Sequence, residues 1–340
     1  MSLPVLHDRQ APLKVLIVKL SSLGDVVHAM PAVMDIQAAI PNAQIDWVVE
    51  RGFAPLAARC AVVHRVIACD LRRWRKAYFK SETRAQTRIE WQTFKTDLQH
   101  EAYDVILDLQ GLTKSALVAR LARIATGGKR YALANRTEGS GYELPTRWVA
   151  DVAVPITPHI HAVERSRVLC AKALGYDLPA HMHYGLGLAT AQRKPLVVLV
   201  HGTSRADKEW PLTHWFEIGS RLKKQGFDVA LPHGNEAERQ RSDAIADMLP
   251  GAVVWPRLSL DQLTTEMAHC MGVIGVDSGL SHIAVALDLP HVQIYNFDTA
   301  WRTGPEGLTR QRSVVDCPTP SVDAVWDAWQ ACLHAEGSAP

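Results

Sequence analysis

The sequence lacks the long apolar run that a membrane-spanning segment requires. A helix that crosses a bilayer contains about 20 consecutive apolar residues, and the apolar runs of this chain are all much shorter. The first residues also lack the cationic start and apolar core of a secretory signal peptide. We therefore expect a cytoplasmic protein whose contact with any membrane is peripheral.

An excess of charge and closely spaced cysteines are also missing. The 37 Lys and Arg residues nearly balance the 35 Asp and Glu residues, which excludes a polyanion-binding surface over the whole molecule and leaves only a local basic patch. The six cysteines show no C-x-x-C spacing. This pattern argues against a zinc site and predicts reduced, mostly buried thiols.

The first half of the chain alternates between apolar runs and helix-like segments. The run at 14–19 is followed by a loop and by a helical pattern that reaches Ile40. Further strands are predicted near 44–50 and 103–109, and helices over 114–124 and 162–174. This alternation is typical of a parallel α/β domain.

A second α/β series starts with the apolar run 195–200, and its sequence does not repeat the first. Strands are predicted at 227–231, 271–276 and 292–295, and helices at 237–249 and 260–269. Residues 176–194, with Pro and Gly, predict the connection. We expect two doubly wound Rossmann-like domains, 1–180 and 181–340, that face a cleft, with ligands at the carboxyl ends of the strands.

The segment Ser21–Asp25 follows the first buried strand and opens a helix. Backbone N–H groups and the helix dipole at such a place favour an anionic group, and Asp25 would stay ionised there, which suits a carboxylate base. The segment is neither a Walker A loop nor G-x-G-x-x-G. The alternative, common at helix starts, is that Ser22 or Asp25 only supplies the polar first turn.

The segment His201–Lys208 follows the strand predicted at 195–200. Its backbone and the hydroxyls of Thr203 and Ser204 can bind phosphate oxygens, and Lys208 supplies a point charge for a diphosphate. The alternative is a solvated loop with Lys208 in water.

The segment Gly275–His282 lies at another junction between a strand and a helix. Its G-x-D-x-G form is compatible with a nucleophile elbow in which Asp277 forms an ester. The competing interpretation is a glycine-rich turn that holds phosphate at a helix N-terminus. A histidine such as His282 is more often a packed or capping residue than a catalyst.

The segment Leu71–Lys80 is the one dense basic run, with aromatic residues between the cations and no acids. It is compatible with binding of an anionic glycolipid, an acidic membrane surface or nucleic acid. The alternative is a solvated helix face.

Together these segments resemble the bacterial lipopolysaccharide heptosyltransferases of glycosyltransferase family 9, in particular the members that add the first heptose to the inner core. The resemblance extends over most of the chain and depends on the order of seven segments. These are 15–28, 45–50, 72–76, 110–115, 161–165, 203–210 and 276–282.

The resemblance implies an inverting GT-B glycosyltransferase that needs no metal and no cofactor. The implied donor is ADP-L-glycero-D-manno-heptose, bound by the C-terminal domain, and the implied acceptor is the Kdo residue of Kdo-lipid A, bound by the N-terminal domain. The enzyme would act peripherally at the cytoplasmic face of the inner membrane, and nucleic acid would not be a partner.

The resemblance also implies residue roles. Asp25 would be the general base, and Lys208 would stabilise the charge on departing ADP. The implied donor-binding residues are Thr203, Ser204, Lys208, Glu238 at the ribose, Leu258 at the adenine, Asp277, Ser278, Gly279 and His282. The implied acceptor-binding residues are Ser22, Gly24, Arg72, Arg73, Arg75, Lys76 and Arg136.

Three alternatives stay open at this point. The first is another ADP-heptose transferase of the same family, and the second is an α/β-hydrolase with Asp277 as the nucleophile. The third is a non-catalytic binder of anionic glycans or nucleic acid that uses Arg72–Lys80.

Overall fold

The computed structural model of the chain describes residues 11–186, 193–306 and 309–336. The chain divides into two compact units, Met1–Gly187 and Leu188–Pro340, which are called unit 1 and unit 2 below. The boundary predicted from the sequence was 180/181. Part of the predicted connection, 187–192, lies outside the described residues.

Unit 1 is built on one sheet of six strands. The strands are β1 (Lys14–Val18), β2 (Gln44–Glu50), β3 (Val63–Cys69), β4 (Ala102–Asp108), β5 (Arg123–Leu133) and β6 (Val152–Val154). The helices are α1 (Leu23–Ala39), α2 (Ala54–Ala58), α3 (Leu71–Ala77), α4 (Ser81–Leu98), α5 (Thr113–Leu121), α6 (Pro145–Val149) and α7 (Ala162–Leu174). The strand order is β3-β2-β1-β4-β5-β6, and the paired strands are parallel.

Unit 2 is built on a second sheet of six parallel strands. The strands are β7 (Lys194–Val200), β8 (Asp228–Leu231), β9 (Val253–Val254), β10 (Cys270–Val276), β11 (His291–Tyr295) and β12 (Gln311–Val315). The helices are α8 (Leu212–Lys224), α9 (Glu236–Met248), α10 (Leu260–Ala268), α11 (Gly279–Ala286), α12 (Ala300–Thr303) and α13 (Val322–Glu336).

The two sheets share one topology although their sequences do not repeat. The order in unit 2 is β12-β11-β10-β7-β8-β9, so β7 corresponds to β1 and β10 corresponds to β4. In each unit the first and fourth strands are neighbours, and the chain proceeds outward from them in opposite directions. Their carboxyl ends are therefore the topological switch points at which open α/β sheets bind ligands.

Several elements differ from the sequence-based expectation. The helix predicted over 114–124 ends at Leu121, because the chain enters β5 at Arg123. Strands β3, β5, β6, β9 and β12 were not predicted, nor were the helices α2, α4, α6, α12 and α13. Most of these strands are short or partly exposed, so they do not present the continuous apolar run that marks a buried strand. The helix Ala162–Leu174 and its end at Gly175, where φ is 75°, are confirmed.

Each unit has its own core. The central strand β1 is buried on both faces, as expected of a parallel strand covered by helices. In unit 2, Trp210, Trp215 and Trp329 are fully buried among the apolar residues of the sheet. All six cysteines are free thiols and five of them are buried, with Cys317 exposed, so the prediction of unpaired, mostly buried thiols is confirmed. Within the described residues, no helix is both long and apolar enough to cross a bilayer.

Candidate active site

The loop after β1 leads into α1 and joins Ser22 to Asp25. Ser22 is the N-cap residue, with extended backbone. Its backbone N–H and its hydroxyl both donate to Asp25 Oδ2, at 3.1 and 2.8 Å. Asp25 therefore does contribute to the polar first turn of the helix, and this contact occupies one of its two carboxylate oxygens. Gly24 is the second residue of the same helix.

Two cations face the other oxygen of Asp25. Lys19 Nζ lies 3.0 Å from Asp25 Oδ1, and a guanidinium nitrogen of Arg165 lies 3.7 Å from it. Burial opposes the negative charge, but the two cations outweigh it and hold the pKa of Asp25 well below its ordinary range. The carboxylate is therefore ionised at neutral pH, as expected from the sequence.

Residues that follow β4 support the same loop. Gln110 Oε1 accepts hydrogen bonds from the backbone N–H groups of Leu20 and Ser21, at 3.0 and 3.1 Å. Lys114 Nζ donates to Ser21 Oγ at 2.7 Å, and Lys19 Nζ donates to the carbonyl of Leu109 at 3.2 Å. The carboxyl ends of β1 and β4 are thus tied together at the switch point.

No individual role was predicted for four residues of this site, although all four lie in the segments that carried the resemblance: Lys19, Gln110, Lys114 and Arg165. For Lys19 a signal was available, since it is a cation that directly follows the apolar run Val15–Val18. Arg165 reaches Asp25 from α7, which is distant in sequence, and no local spacing indicates that contact.

Asp108, the last residue of β4, is a buried carboxyl group below this loop. Its Oδ1 accepts hydrogen bonds from the backbone N–H groups of Gln110 and Gly111, at 2.9 and 3.2 Å. Burial nevertheless raises its pKa from 3.8 to about 6. Asp108 positions the turn after β4, and burial outweighs the hydrogen bonds that favour its charged form.

In unit 2, the loops after β7 and β10 bring Lys208 and Asp277 together. Lys208 Nζ lies 2.5 Å from Asp277 Oδ2, and His282 Nε2 lies 3.5 Å from Asp277 Oδ1. Burial alone would raise the pKa of Asp277, but His282 and Lys208 lower it below the ordinary value. The hydroxyl of Thr203 donates to the backbone carbonyl of Asp277 at 3.5 Å. These four predicted donor residues therefore form one cluster.

Helix α11 begins beside this cluster. Ser278 is its N-cap residue and Gly279 its first residue. Ser278 Oγ is buried and has no hydrogen-bond partner among the described residues. The N-terminal N–H groups of this helix, together with Lys208, favour an anion.

The geometry at Asp277 argues against a nucleophile elbow. Both carboxylate oxygens face cationic or hydrogen-bonding side chains, since Gln293 Nε2 also lies 3.5 Å from Oδ1. A nucleophile elbow is a strained turn, whereas Asp288 is the one non-glycine residue of the described ranges with positive φ. Asp277 therefore lacks the free, strained placement of an attacking group.

Glu238, the implied ribose ligand, lies against the loop after β7. Its carboxylate accepts hydrogen bonds from the N–H of Gly234 at 2.7 Å and from Asn235 Nδ2 at 2.8 Å. A Cβ on Gly202 would lie 3.0 Å from Glu238 Cδ, so glycine at 202 permits this close approach. Ser204 is exposed, and Leu258 is half-buried between β9 and α10.

The residues of the basic run lie on α3 and differ in their surroundings. Arg73 forms ion pairs with Asp70 and Glu90. Arg72 and Arg75 line a cavity of about 560 Å³, and Lys76 is exposed on the same helix. Arg136 is exposed in the loop after β5. The structure thus brings Arg72 and Arg75 to one cavity, while Arg73 is engaged with neighbouring acids.

Comparisons with known proteins agree with this arrangement. Residues 91–321 match the model of glycosyltransferase family 9 (heptosyltransferase). The lipopolysaccharide heptosyltransferase 1 of Pseudomonas aeruginosa is 39% identical over 311 residues, which cover 90% of this chain and 85% of that protein. A lipooligosaccharide heptosyltransferase 2 of Haemophilus ducreyi is 24% identical over 335 residues, which cover 89% of this chain and 88% of that protein.

Among solved structures, the E. coli heptosyltransferase WaaC with ADP matches with a TM-score of 0.81 and 34% identity, over 93% of this chain and 98% of that chain. Two parallel six-stranded α/β units with this likeness define a GT-B glycosyltransferase. The chain belongs to glycosyltransferase family 9, the heptosyltransferases. It is therefore an enzyme, and the non-catalytic and hydrolase interpretations are set aside.

Proposed function

We propose that the enzyme transfers L-glycero-D-manno-heptose from its ADP derivative to the Kdo residue of Kdo-lipid A, with inversion at the anomeric carbon. The observation that carries this proposal is the contrast between 39% identity to a heptosyltransferase 1 and 24% identity to a heptosyltransferase 2, over nearly the same share of the chain. That contrast favours the first heptose addition over other transfer steps of the family.

Unit 2 would bind the donor. The related WaaC was solved with ADP, and unit 2 offers a diphosphate the ammonium group of Lys208 and the N-terminal N–H groups of α11. The hydroxyls of Thr203, Ser204 and Ser278 supply further donors. A bound diphosphate would compete with Asp277 for Lys208, and Asp277 would then accept hydrogen bonds from the sugar.

The nucleoside would lie beside Glu238 and Leu258. The carboxylate of Glu238 can accept hydrogen bonds from two ribose hydroxyls, and its contact with the glycine at 202 leaves it next to the loop that carries Lys208. Leu258 is half-buried and offers an apolar surface to the adenine ring.

Unit 1 would supply the general base. The exposed side of Asp25 would accept the proton of the Kdo hydroxyl as that oxygen forms its bond to the anomeric carbon of the heptose. The bond from this carbon to the diphosphate oxygen breaks on the opposite side, and ADP leaves with the electron pair. A carboxylate with a lowered pKa is a weak base, so the proton moves late, when the hydroxyl has become acidic through bond formation.

The proposed step needs neither a metal ion nor a cofactor, because Lys208 and α11 supply positive charge at the leaving diphosphate. In the parts of the chain that the structure describes, no three His, Cys, Asp or Glu side chains cluster as metal ligands do. A transfer rate that EDTA leaves unchanged is the expected result.

The acceptor's phosphates and carboxylate would be bound by Arg72, Arg75, Lys76 and Arg136, with Ser22 and Gly24 beside the base. At the end of α3, Phe79 is 78% exposed next to Lys80. An exposed aromatic ring beside cations is typical of a surface that rests on an anionic membrane. We therefore propose peripheral association with such a membrane, and no nucleic-acid partner.

Membrane association can be measured by co-sedimentation with phosphatidylglycerol vesicles. The substitution Phe79→Ser should lower the bound fraction, whereas Phe216→Ser, which removes an exposed ring from unit 2, should not. Equal loss with both variants would contradict a membrane-facing role for α3.

The activity is tested by incubation with ADP-heptose and Kdo-lipid A, followed by mass spectrometry of the lipid. The expected product has gained one heptose, and its anomeric configuration by NMR should be inverted relative to the donor. If the enzyme instead transferred heptose only to an acceptor that already carries one, the first-heptose proposal would be wrong and another step of the family would replace it.

A further inference from the structure

The cavity of unit 1 combines apolar walls with cations. Six of its eleven lining residues are apolar or aromatic, among them Trp74, Trp91 and Leu117. They come from α3 and the residue after it, from α4, and from α5 and the residue before it. Four others are the cations Arg72, Arg75, Arg88 and Lys114, and no acid lines it. Cations alone would be enough for a hydrated phosphate, and apolar walls alone would be enough for a hydrocarbon. Their combination fits a molecule that has both.

The aromatic walls are held in place by contacts with one another, with Arg88 and with Glu90. The rings of Trp74 and Trp91 meet edge to face with centroids 5.8 Å apart. Trp74 Nε1 donates to a carboxylate oxygen of Glu90 at 2.7 Å, so the polar atom of this indole is already satisfied. Arg88 lies over the Tyr78 ring, 5.9 Å from its centroid. The aromatic walls are thus preformed, and the indole N–H of Trp74 is not available to water.

One lining residue connects the cavity to the loop of the proposed base. Lys114 Nζ donates to Ser21 Oγ at 2.7 Å. The next residue, Ser22, donates to Asp25 through both its N–H and its hydroxyl. A ligand bound beside Lys114 would therefore contact a side chain that is hydrogen-bonded to the loop of Asp25, the group that would accept the acceptor's proton.

We infer that this cavity is a subsite for one hydrocarbon chain of the lipid acceptor, with its cations on a phosphate of the same molecule. The inference rests on the proposed function, because it assumes that the acceptor is a phosphorylated lipid. The link through Lys114 to the Asp25 loop favours the acceptor over a phospholipid of the surrounding membrane as the occupant.

The first test uses hexyl, octyl and decyl phosphate below their critical micelle concentrations, with inorganic phosphate as the chain-free probe. Calorimetric titration should show the affinity rising, by about fourfold per added methylene at most, while the cavity fills. The substitution Leu117→Gln should weaken decyl phosphate binding about tenfold and leave inorganic phosphate unaffected. Leu117 is 47% exposed, so the variant should fold.

Two further variants separate the apolar and cationic parts. Ile89→Gln is the matched control, since Ile89 is 62% exposed on α4 and does not line this cavity. It should bind decyl phosphate like the wild type. Arg75→Gln should weaken all three alkyl phosphates by a similar factor. Affinity that does not depend on chain length, or Leu117→Gln binding equal to that of the wild type, would overturn the inference.

The second test compares kcat/KM on fully acylated Kdo-lipid A and on the same acceptor without its acyl chains. Leu117→Gln should lower kcat/KM about tenfold on the acylated acceptor only. If the wild-type enzyme transferred heptose to neither acceptor, the proposed function would be wrong. The alkyl phosphate titrations would still show whether the cavity binds a hydrocarbon chain together with a phosphate. Displacement of decyl phosphate by phosphatidylglycerol vesicles but not by the acylated acceptor would assign the cavity to membrane lipid and overturn the inference.

Discussion

Units 1 and 2 place an ion pair at equivalent switch points, but they bury opposite members of it. In unit 1 the Lys19 side chain is 1% exposed and that of Asp25 is 36% exposed. In unit 2 the Asp277 side chain is 6% exposed and that of Lys208 is 20% exposed. The buried member holds the exposed one, and the exposed member is the one that the proposed function assigns to the ligand. The shared topology therefore determines where each site lies, and the choice of the buried partner determines whether the site offers a carboxylate or an ammonium group.

The largest effect is expected from removing the exposed carboxylate of unit 1. Asp25→Ala and Asp25→Asn should each lower kcat about a thousandfold, because neither side chain can accept the proton. The affinity for ADP, measured by calorimetry, should stay at the wild-type value, since the donor residues are in unit 2. A thermal melt is the folding control, because both variants leave the buried Lys19 without its carboxylate partner. A folded Asn variant with near wild-type kcat would contradict the assignment of the base.

Removal of the exposed cation of unit 2 should have the next largest effect. Lys208→Gln should lower kcat/KM for ADP-heptose about a hundredfold, through lost charge stabilisation of the leaving diphosphate. The matched control is Arg205→Gln, which removes an exposed cation that pairs with Asp207 in the same loop. Comparable losses in the two variants would indicate a general charge effect and contradict a specific role for Lys208.

A third prediction concerns the stability of unit 1 and the buried carboxyl of Asp108. Its folded-state pKa of about 6 exceeds the ordinary 3.8, so between these values the folded chain binds more protons than the unfolded chain. The contribution of Asp108 to the free energy of unfolding should therefore fall as the pH rises from about 4 to 6, whereas Asp25 and Asp277, whose pKa values are lowered, contribute with the opposite sign at acidic pH. This dependence should vanish in Asp108→Asn. Above pH 6 the variant should be more stable by up to about 3 kcal/mol, since each pKa unit corresponds to 1.36 kcal/mol.

The hydrogen bonds around Asp108 are compatible with asparagine. Ser115 Oγ lies 3.0 Å from Asp108 Oδ2 and 2.7 Å from the carbonyl oxygen of Leu112, and its one proton can serve only one of them. The amide group of asparagine can donate to the Ser115 hydroxyl instead. Urea unfolding followed by circular dichroism at pH 4 and pH 7 measures the difference. If Asp108→Asn were less stable than the wild type at pH 7, the prediction that the buried Asp108 charge destabilises the folded chain would be wrong.

The smallest effect is expected at the ribose. Glu238→Gln should weaken ADP binding roughly fivefold, or about 1 kcal/mol, which is the approximate difference between a hydrogen bond to a charged acceptor and one to a neutral acceptor. Glu236→Gln on the same helix removes an exposed carboxylate that pairs with Arg239 and should leave the affinity unchanged. An unchanged Kd in the Glu238 variant would remove this residue from the donor site.

The fold class predicted from the sequence is confirmed, and the residues at the centres of both candidate sites were named from the sequence, but the elements at the sheet edges were not predicted. Apolar runs such as Val15–Val18 mark a strand that is buried on both faces, and these strands were found. The edge strands β3 and β12 have exposed or half-buried residues, and β9 has two residues, so hydrophobic pattern does not separate them from loops. The existence of a central strand is thus easier to predict than that of an edge strand.

A similar division holds for the sites. Asp25 and Lys208 lie in the segments that follow two buried strands, Ser21–Asp25 and His201–Lys208. Their place after a strand is what marks them as candidate site residues in the sequence. The partners that determine their charge and orientation come from distant positions, such as Arg165 from α7 for Asp25 and Asp277 for Lys208. Only the folded chain brings these partners within contact distance, so the pairing could not be predicted from spacing.

The distribution of cysteines provides a labelling site. Cys317 is exposed, whereas burial raises the pKa of Cys60 to about 11 and that of Cys270 to about 12, and the other three thiols are also buried. Thiolates, which react with maleimides, are therefore scarce at the buried positions near neutral pH. A fluorophore should attach at Cys317 without removal of the native thiols. With a second dye on a cysteine introduced at Ile89, energy transfer could then follow the separation of the two units during catalytic turnover.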